Sequence, residues 1–268
     1  MTWKLTLEYD GTKYSGWQEQ KNARSVLGML RQAAEDYFGE AVDLQGAGRT
    51  DAGVHAAAQV AHLRVRSRKK FQPKLVRYGL NDRLPADIAV LSVDEAHDSF
   101  HARHDAIARQ YVYRISSRKT AFHKRFVWWV KENLDVTLMT HACELLIGRH
   151  DFQCFRAADP SGKEESSVVV VEEATLSVED HLLIFRIRAS HFVWRMVRRI
   201  VGVLVRLGAG EITLGDFQQL LEGKCSKRLD VAAWTAPASG LMLEKVVYGE
   251  GKSLRNRSRG RVPKSSIS

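Results

Sequence analysis

The stretch WKLTLEYDGTKYSGWQEQKNARSVLGMLRQAAEDYFG, residues 3–39, changes its hydrophobic period once and therefore predicts two different elements. Residues 3–9 alternate apolar and polar side chains, which is typical of a strand with one buried face. Beyond Ser25 the apolar residues recur at helical spacing. Ser25 is placed to cap this helix and Gly39 to end it, so the stretch predicts a strand followed by a helix.

Both halves of the chain repeat one order of elements. The first half continues with two strands, a helix that has Pro73 in its first turn, and another strand. The second half runs strand, helix, two strands, helix and strand, with one extra helix before the last strand. This order, β-α-β-β-α-β, is that of a ferredoxin-like unit. The predicted segments are AVDLQGAG (41–48), AAAQVAHLRV (56–65), PKLVRYGLNDRL (73–84), DIAVLSVDEA (87–96), RQYVYRIS (109–116), DVTLMTHACELLIG (135–148), SSVVVVEEATLSV (166–178), HLLIFRIRAS (181–190), HFVWRMVRRIVGVLVRLG (191–208), TLGDFQQLLEG (213–223) and GLMLEKVVYG (240–249).

The repeat predicts an α+β fold in which two ferredoxin-like units share a central antiparallel sheet. We expect an N-terminal unit over residues 1–107, a C-terminal unit over 108–250 and a basic tail over 251–268. A cleft should lie where the units meet, and ligand sites are common at such junctions. The alternative is one larger α+β sheet without internal symmetry.

Composition limits the class of protein. Hydrophobic residues make up 44% of the 268 residues, enough to build a large core. No apolar run approaches the roughly 20 residues that a membrane-spanning helix needs. The chain begins with a strand pattern rather than a signal peptide. Three cysteines, far apart and odd in number, favour reduced thiols in a cytoplasmic protein.

The charge favours a polyanionic partner such as nucleic acid, because the net charge is +10 and the pI is about 9.6. More than half of this excess lies in residues 252–268, which contain six basic residues and no acidic one. The tail is rich in Ser, Arg and Gly and cannot build a core. It either adds nonspecific attraction for phosphates or is inert.

One acidic residue stands out in QGAGRTDAGVHAAAQV, residues 45–60. Gly48 and Gly53 suit a tight loop that can aim Asp51 into a cleft. Arg49 beside it favours the ionised carboxylate, which without a metal can act as a nucleophile or a general base. The alternative is an ordinary surface ion pair between Arg49 and Asp51. His55 is interpreted as a structural histidine whose hydrogen bonds are satisfied.

GRTDAGVHA, residues 48–56, resembles the active-site motif of the TruA family of tRNA pseudouridine synthases. The resemblance spans roughly residues 4–248 and includes five further blocks in the family's order, which makes it much more specific than one motif. These blocks are LEYDGTKYSGWQ (7–18), FHARHDAIARQYVYRI (100–115), GRHDFQCFR (148–156), FVWRMVRRIVG (192–202) and APASGLMLEKVVY (236–248). In the fifth of these six blocks Arg195 stands where the family more often has His, Asn or Tyr.

The resemblance implies roles for five residues. Asp51 matches the catalytic aspartate, the nucleophile. Arg49 matches the arginine that pairs with that aspartate and helps to hold the target nucleotide out of its helix. Tyr111 matches the tyrosine that stacks on the target uracil, and Arg198 matches a basic residue that faces the active site. Leu243 matches a leucine that closes the base pocket.

The resemblance also implies the pseudouridine synthase fold and the conversion of uridine to pseudouridine at three adjacent positions of the tRNA anticodon stem-loop. The family acts by base flipping, as a homodimer, on tRNA, and without a metal or other cofactor. His101 and His104 agree with the last point, because no neighbouring acid pair or cysteine completes a zinc pattern. Two alternatives are a noncatalytic RNA-binding protein that keeps the fold and a nucleoside hydrolase. The hydrolase would normally need two carboxylates.

Overall fold

The computed structural model describes residues 1–67, 69–158 and 166–249, so the predicted tail over 251–268 lies outside the described residues. The first half forms the predicted order of elements. These are β1 (Thr2–Tyr9), α1 (Val26–Phe38), β2 (Asp43–Gly46), β3 (His55–Arg64), α2 (Pro73–Asn81) and β4 (Ile88–Ala96).

The second half repeats the order with two short additional strands and the extra helix. Its elements are β5 (Ala106–Ser116), β6 (Trp128–Trp129), α3 (Val136–Leu145), β7 (Gly148–Asp151), β8 (Val168–Glu179), β9 (Leu182–Ala189), α4 (Met196–Gly208), α5 (Leu214–Leu221) and β10 (Leu241–Tyr248).

Local signals in the sequence set the ends of α1. The Ser25 side chain accepts a hydrogen bond from the backbone N–H of Gly28 and caps the first turn. At the other end Gly39 adopts a left-handed conformation with φ of 72°, which glycine reaches without a steric penalty. Both predicted boundaries of α1 are therefore confirmed.

The strands of the described residues form one sheet in the order β4-β1-β3-β10-β5-β9-β8-β7. β2 pairs with β3, so the first unit reads β4-β1-β3-β2, and the second reads β10-β5-β9-β8. Both are the strand order of a ferredoxin-like unit, with strand four beside strand one. The predicted α+β fold of two such units on one sheet is confirmed.

The junction of the two units lies between β3 and β10. β3 pairs with β2 over residues 61–64, and its first residues, His55 and Ala56, pair with Met242 and Leu243 of β10. The pairing of β3 with β10 is parallel, so the sheet is not antiparallel throughout as the sequence predicted. The reason is topological. In both units the third strand and the fourth strand run in the same direction, so joining β3 of the first unit to β10 of the second gives a parallel pair.

The helices pack on one face of the sheet, and a row of side chains on that face crosses the junction of the two units. Tyr9, Ala56, Leu243 and Tyr111 are successive register partners across four strands and share that face. Trp3 lies on the same face of β1 and stacks on Phe38 of α1, with ring centroids 5.4 Å apart. The row thus runs beneath the helices, across the boundary between the units.

The opposite face of the central strands is polar. Gln110 of β5 donates a hydrogen bond of 2.8 Å to Glu244 of β10, which also pairs with Arg186 of β9 at 3.2 Å. These side chains alternate along their strands with the buried residues of the helical face, as expected for a sheet with one solvated side.

Helix α4 begins later than the sequence predicted. The amphipathic pattern indicated a helix from position 191, but the structure begins it at Met196. Arg195 has a φ of 60°, a left-handed conformation that ends any helical path through the preceding residues. The pattern extended too far because Phe192 and Val193 are apolar for another reason, namely packing with the hydrophobic core.

The prediction of three reduced cysteines is wrong for two of them. Cys154 and Cys225 form a disulfide, with Cα atoms 5.3 Å apart and a separation of 71 positions in sequence. Packing of α5 against a short 3-10 turn at Phe152–Phe155 brings them together, which sequence spacing does not reveal. Cys143 is free and buried, and burial raises the pKa of its thiol to about 12.

Across the described part of the chain, no helix combines the length and the apolar character that crossing a membrane requires.

Candidate active site

The loop between β2 and β3 carries Asp51, and the first block of the chain holds this loop in place. The Tyr9 hydroxyl and the Thr50 hydroxyl are hydrogen-bonded at 2.8 Å. The backbone N–H of Trp17 donates to the Thr50 carbonyl at 3.1 Å, and that of Gly53 donates to the Tyr14 carbonyl at 3.2 Å. The LEYDGTKYSGWQ block therefore supports the loop on both sides of Asp51.

Two glycines allow this close approach of backbones. Gly16 has a φ of +95°, and a Cβ there would lie 2.6 Å from the Thr50 carbonyl oxygen. Gly53 has a φ of +77°, as expected for a tight loop. Gly48, which the sequence grouped with Gly53, has open space around it and no positive φ.

His55 is a structural histidine, as the sequence predicted. Its Nδ1 accepts a hydrogen bond from the backbone N–H of Gly11, and its Nε2 lies 2.8 Å from the Arg125 carbonyl. This arrangement fits the neutral ring with the proton on Nε2, although Asp10 lies 3.2 Å from Nδ1. Burial lowers the pKa of His55 and so favours the same neutral form.

The Asp51 carboxylate is held at both oxygens by residues around the start of α4. Trp194 donates its indole N–H to Oδ1 at 3.0 Å, and Arg198 donates Nη1–H to Oδ2 at 3.0 Å. The side chains of Arg198 and Asp51 are 15% and 20% exposed, so the pair is largely covered yet open at one side. Arg198 is itself fixed, because its Nε donates to the Ala236 carbonyl at 2.8 Å.

The predicted pairing of Arg49 with Asp51 is not what the structure has. Arg49 is exposed, and the ion pair of Asp51 within the described residues is made by Arg198. Neighbours in sequence need not face each other in an irregular loop, and α4 supplies a guanidinium from 147 residues away. Arg49 is left facing solvent at the loop that carries the acid.

Tyr111 lies on the helical face of β5, in the row that crosses the junction. Its ring is buried and packs edge to face against Phe192, with centroids 5.0 Å apart. Burial raises the pKa of the phenol well above its usual range, and the charges of Tyr9 and Asp51 act in the same direction. The phenol is therefore protonated at neutral pH.

Leu243 and Tyr113 are also on this face. Leu243 pairs with Tyr111 across β10 and β5 and is fully buried. Tyr113 is fully buried as well, and its hydroxyl donates a hydrogen bond of 2.8 Å to the Pro237 carbonyl. As predicted, its side chain is part of the packed interior.

Arg109 ties the loop of Asp51 to the second unit. One Nη donates to the carbonyls of Ala106 and Ser190, and the other donates at 2.8 Å to those of Ala47 and Arg103. Ala47 belongs to the segment that leads into the Asp51 loop, so this arginine fixes the distance between the loop and β5.

The histidines considered for metal binding lie close to each other and to His62. His101 and His104 have ring centroids 4.2 Å apart, and His62 lies 4.6 Å from His101. Among the residues with described placement, no group of three or more His, Cys, Asp or Glu side chains has a geometry that could hold a metal ion.

Trp194 was not predicted from the sequence as a contact of Asp51. It lay inside the predicted helix, where its indole would have been one of several large side chains. The available signal was the pair of unusual residues at 194 and 195, one aromatic and one basic, just before the apolar run of α4.

A sequence profile of a family described as tRNA pseudouridine synthase matches residues 6–105 and 142–249. A tRNA pseudouridine synthase A of Acetivibrio thermocellus is 40% identical over 247 residues, covering 91% of this chain and 98% of the relative. One of Beijerinckia indica is 39% identical, with 92% and 94% of the two chains covered. One of a Thermoanaerobacter species is 37% identical, with 91% and 98% covered.

Proposed function

Because the chain belongs to the TruA family of tRNA pseudouridine synthases and is an isomerase acting on tRNA, we propose that Asp51 is its nucleophile. We propose further that the target uridines lie at three adjacent positions of the anticodon stem-loop and reach Asp51 by base flipping. A noncatalytic RNA-binding protein, the earlier alternative, does not fit membership of an enzyme family.

The observation that supports the proposal most directly is the pair of hydrogen bonds to the Asp51 carboxylate. Hydrogen bonds from a guanidinium and an indole, each 3.0 Å long, hold both oxygens of the carboxylate and set its orientation. An acid at this position gains nothing for RNA binding, because it repels phosphates. Its 20% exposure leaves one side of the carboxylate open to a substrate.

The reaction breaks the bond from C1′ of the ribose to N1 of uracil and forms a bond from C1′ to C5, while C5 loses a proton and N1 gains one. Asp51 can attack either the uracil ring or the ribose, and both routes use the same carboxylate. No external reagent is consumed, because substrate and product are isomers. Asp51 is released when the new carbon–carbon bond is complete.

Tyr111 and Arg49 would act on the flipped nucleotide. Extrusion of the base costs a few kcal/mol, and stacking on an aromatic ring returns about 1–3 kcal/mol. The protonated phenol of Tyr111 can relay the proton lost from C5 but does not serve as a phenolate base. Arg49, exposed on the catalytic loop, would hold the RNA backbone or fill the vacated space. Leu243 would close the base pocket from below.

The repeated order of elements predicts that the two units meet near residues 105–108. The family resemblance implies a homodimer that needs no metal or other cofactor, and as a tRNA-modifying enzyme it would work in the cytoplasm. In such a dimer one subunit holds the stem of the tRNA while the target base enters the site of the other.

The test uses tRNA labelled with tritium at C5 of uracil, because each turnover releases the label. Asp51→Asn keeps the shape and one oxygen for Arg198, so we expect tRNA binding to persist while release falls by more than about a thousandfold. The control is Asp180→Asn, since Asp180 is 91% exposed and lies in a turn whose positive φ asparagine tolerates. Tritium release by Asp51→Asn at the rate of the unaltered enzyme would rule the nucleophile out.

A further inference from the structure

We propose that Trp194 is a positioning residue for the reaction, because its indole N–H holds Oδ1 of Asp51 and sets the direction of the carboxylate. The inference rests on the proposed role of Asp51 as nucleophile. In this role the indole N–H of Trp194, rather than its aromatic ring, orients the carboxylate.

The need for a second donor follows from the geometry of the first. In the contacts of the described residues Arg198 reaches Asp51 through Nη1, while its Nε donates to the Ala236 carbonyl. A single hydrogen bond to Oδ2 leaves the carboxylate free to turn about that contact. The bond from Trp194 to Oδ1, also 3.0 Å, supplies a second point and restricts the rotation.

Backbone hydrogen bonds on both sides of Trp194 hold it in place. Arg195 caps α4 with φ of 60° and ψ of 8°, a left-handed conformation that is uncommon for a residue with a side chain. The Trp194 carbonyl accepts a hydrogen bond of 3.0 Å from the N–H of Ala157, and the Met196 N–H donates to the Val193 carbonyl. Unfavourable backbone conformations that neighbouring contacts maintain are typical of functional sites.

The ring is held on one side by Arg195, whose guanidinium lies 4.9 Å from the indole centroid. Trp194 is nevertheless 37% exposed, so the indole is not simply part of the core. Its position is set by the turn and by the guanidinium, and the indole N–H is the group that points to Asp51.

A neutral donor suits a nucleophile better than a second cation. A cationic donor adds Coulomb attraction to its hydrogen bond with a carboxylate, and this stabilisation must be given up when an oxygen attacks. The indole N–H orients the carboxylate at a smaller cost to its reactivity. Arg198 provides the positive charge beside Asp51, and Trp194 fixes the orientation of its carboxylate.

The experiment compares Trp194→Phe with Trp194→His under single-turnover conditions at saturating enzyme, with C5-tritiated tRNA. The phenylalanine variant keeps an aromatic ring and loses the N–H, so its rate should fall about threefold to tenfold while the Kd for tRNA changes less than about twofold. The histidine variant keeps a ring N–H and should recover most of the rate. The matched control is Trp129→Phe, since Trp129 is 38% exposed and is remote from Asp51 in the described contacts.

An unchanged rate in Trp194→Phe would overturn the inference. So would a loss that appears only as weaker tRNA binding, because the ring would then be an RNA contact, or equal losses in the Phe and His variants. Asp51→Asn is measured beside them. If that variant is inactive while Trp194→Phe is fully active, only the role of Trp194 fails. If Asp51→Asn is active, the proposed nucleophile fails first.

Discussion

Arg198→Lys is the substitution that most directly tests how the site is held together. Arg198 uses two different nitrogens, Nη1 for Asp51 at 3.0 Å and Nε for the Ala236 carbonyl at 2.8 Å. A lysine keeps the positive charge but presents one nitrogen on a flexible stem, so it cannot make both contacts in the same geometry. The charge near Asp51 is therefore retained, and its fixed direction is lost.

The size of the effect follows from the loss of one charge-assisted hydrogen bond in a largely covered site. Such a bond contributes about 1.5–3 kcal/mol. If that energy serves to orient Asp51, the single-turnover rate should fall about tenfold to about 150-fold, at one factor of ten for each 1.36 kcal/mol. The free energy of unfolding should fall by about 1–2 kcal/mol, because the ion pair itself can persist.

The assay is tritium release from C5-labelled tRNA at saturating enzyme, together with the Kd for tRNA and urea unfolding. Arg206→Lys is the control, since Arg206 lies two turns further along α4 in an exposed pair with Glu211 and should tolerate the exchange. Full activity of Arg198→Lys would refute the reasoning. A loss confined to tRNA affinity would show that Arg198 binds the RNA instead of orienting Asp51.

Two further substitutions test the support of the loop and the pH dependence of stability. Gly16→Ala should lower the free energy of unfolding by about 2–3 kcal/mol and reduce activity, because its φ is +95° and its Cβ would meet Thr50, whereas Gly39→Ala, with φ of +72° and open space, should cost only about 1–2 kcal/mol and leave activity intact. Equal effects of the two in urea unfolding and tritium release would contradict this. Burial lowers the pKa of His62 from 6.5 to about 4, so the unfolded chain binds the extra proton and stability should be lost as the pH falls from about 6.5 to about 4. In His62→Asn, whose amide oxygen can still accept from the Ala102 N–H, urea unfolding at pH 7 and pH 5 should differ less than in the unaltered protein; an equal difference would assign the titration to another group.

Features that depend on a few neighbouring residues were predictable from the sequence. The period of the apolar residues identified the strands and helices of both units, and Ser25 and Gly39 marked the ends of α1. The same signals misplaced the start of α4, because the apolar residues at 192 and 193 continue a helical pattern that the left-handed Arg195 interrupts. The glycines around Asp51 marked it as a candidate site residue, since such a motif is a local feature.

The partners of those residues were decided by the tertiary structure. Trp194 and Arg198 reach Asp51 across 143 and 147 residues, and Cys154 meets Cys225 across 71. A pattern in sequence describes which face of an element is buried, because that depends on neighbours within one or two turns. Which side chains of two distant elements then meet depends on how the two units join along β3 and β10 and on where the start of α4 lies. For this reason the acid could be found from its own loop and Arg198 only through the family resemblance, whereas Trp194 could be found only in the folded chain.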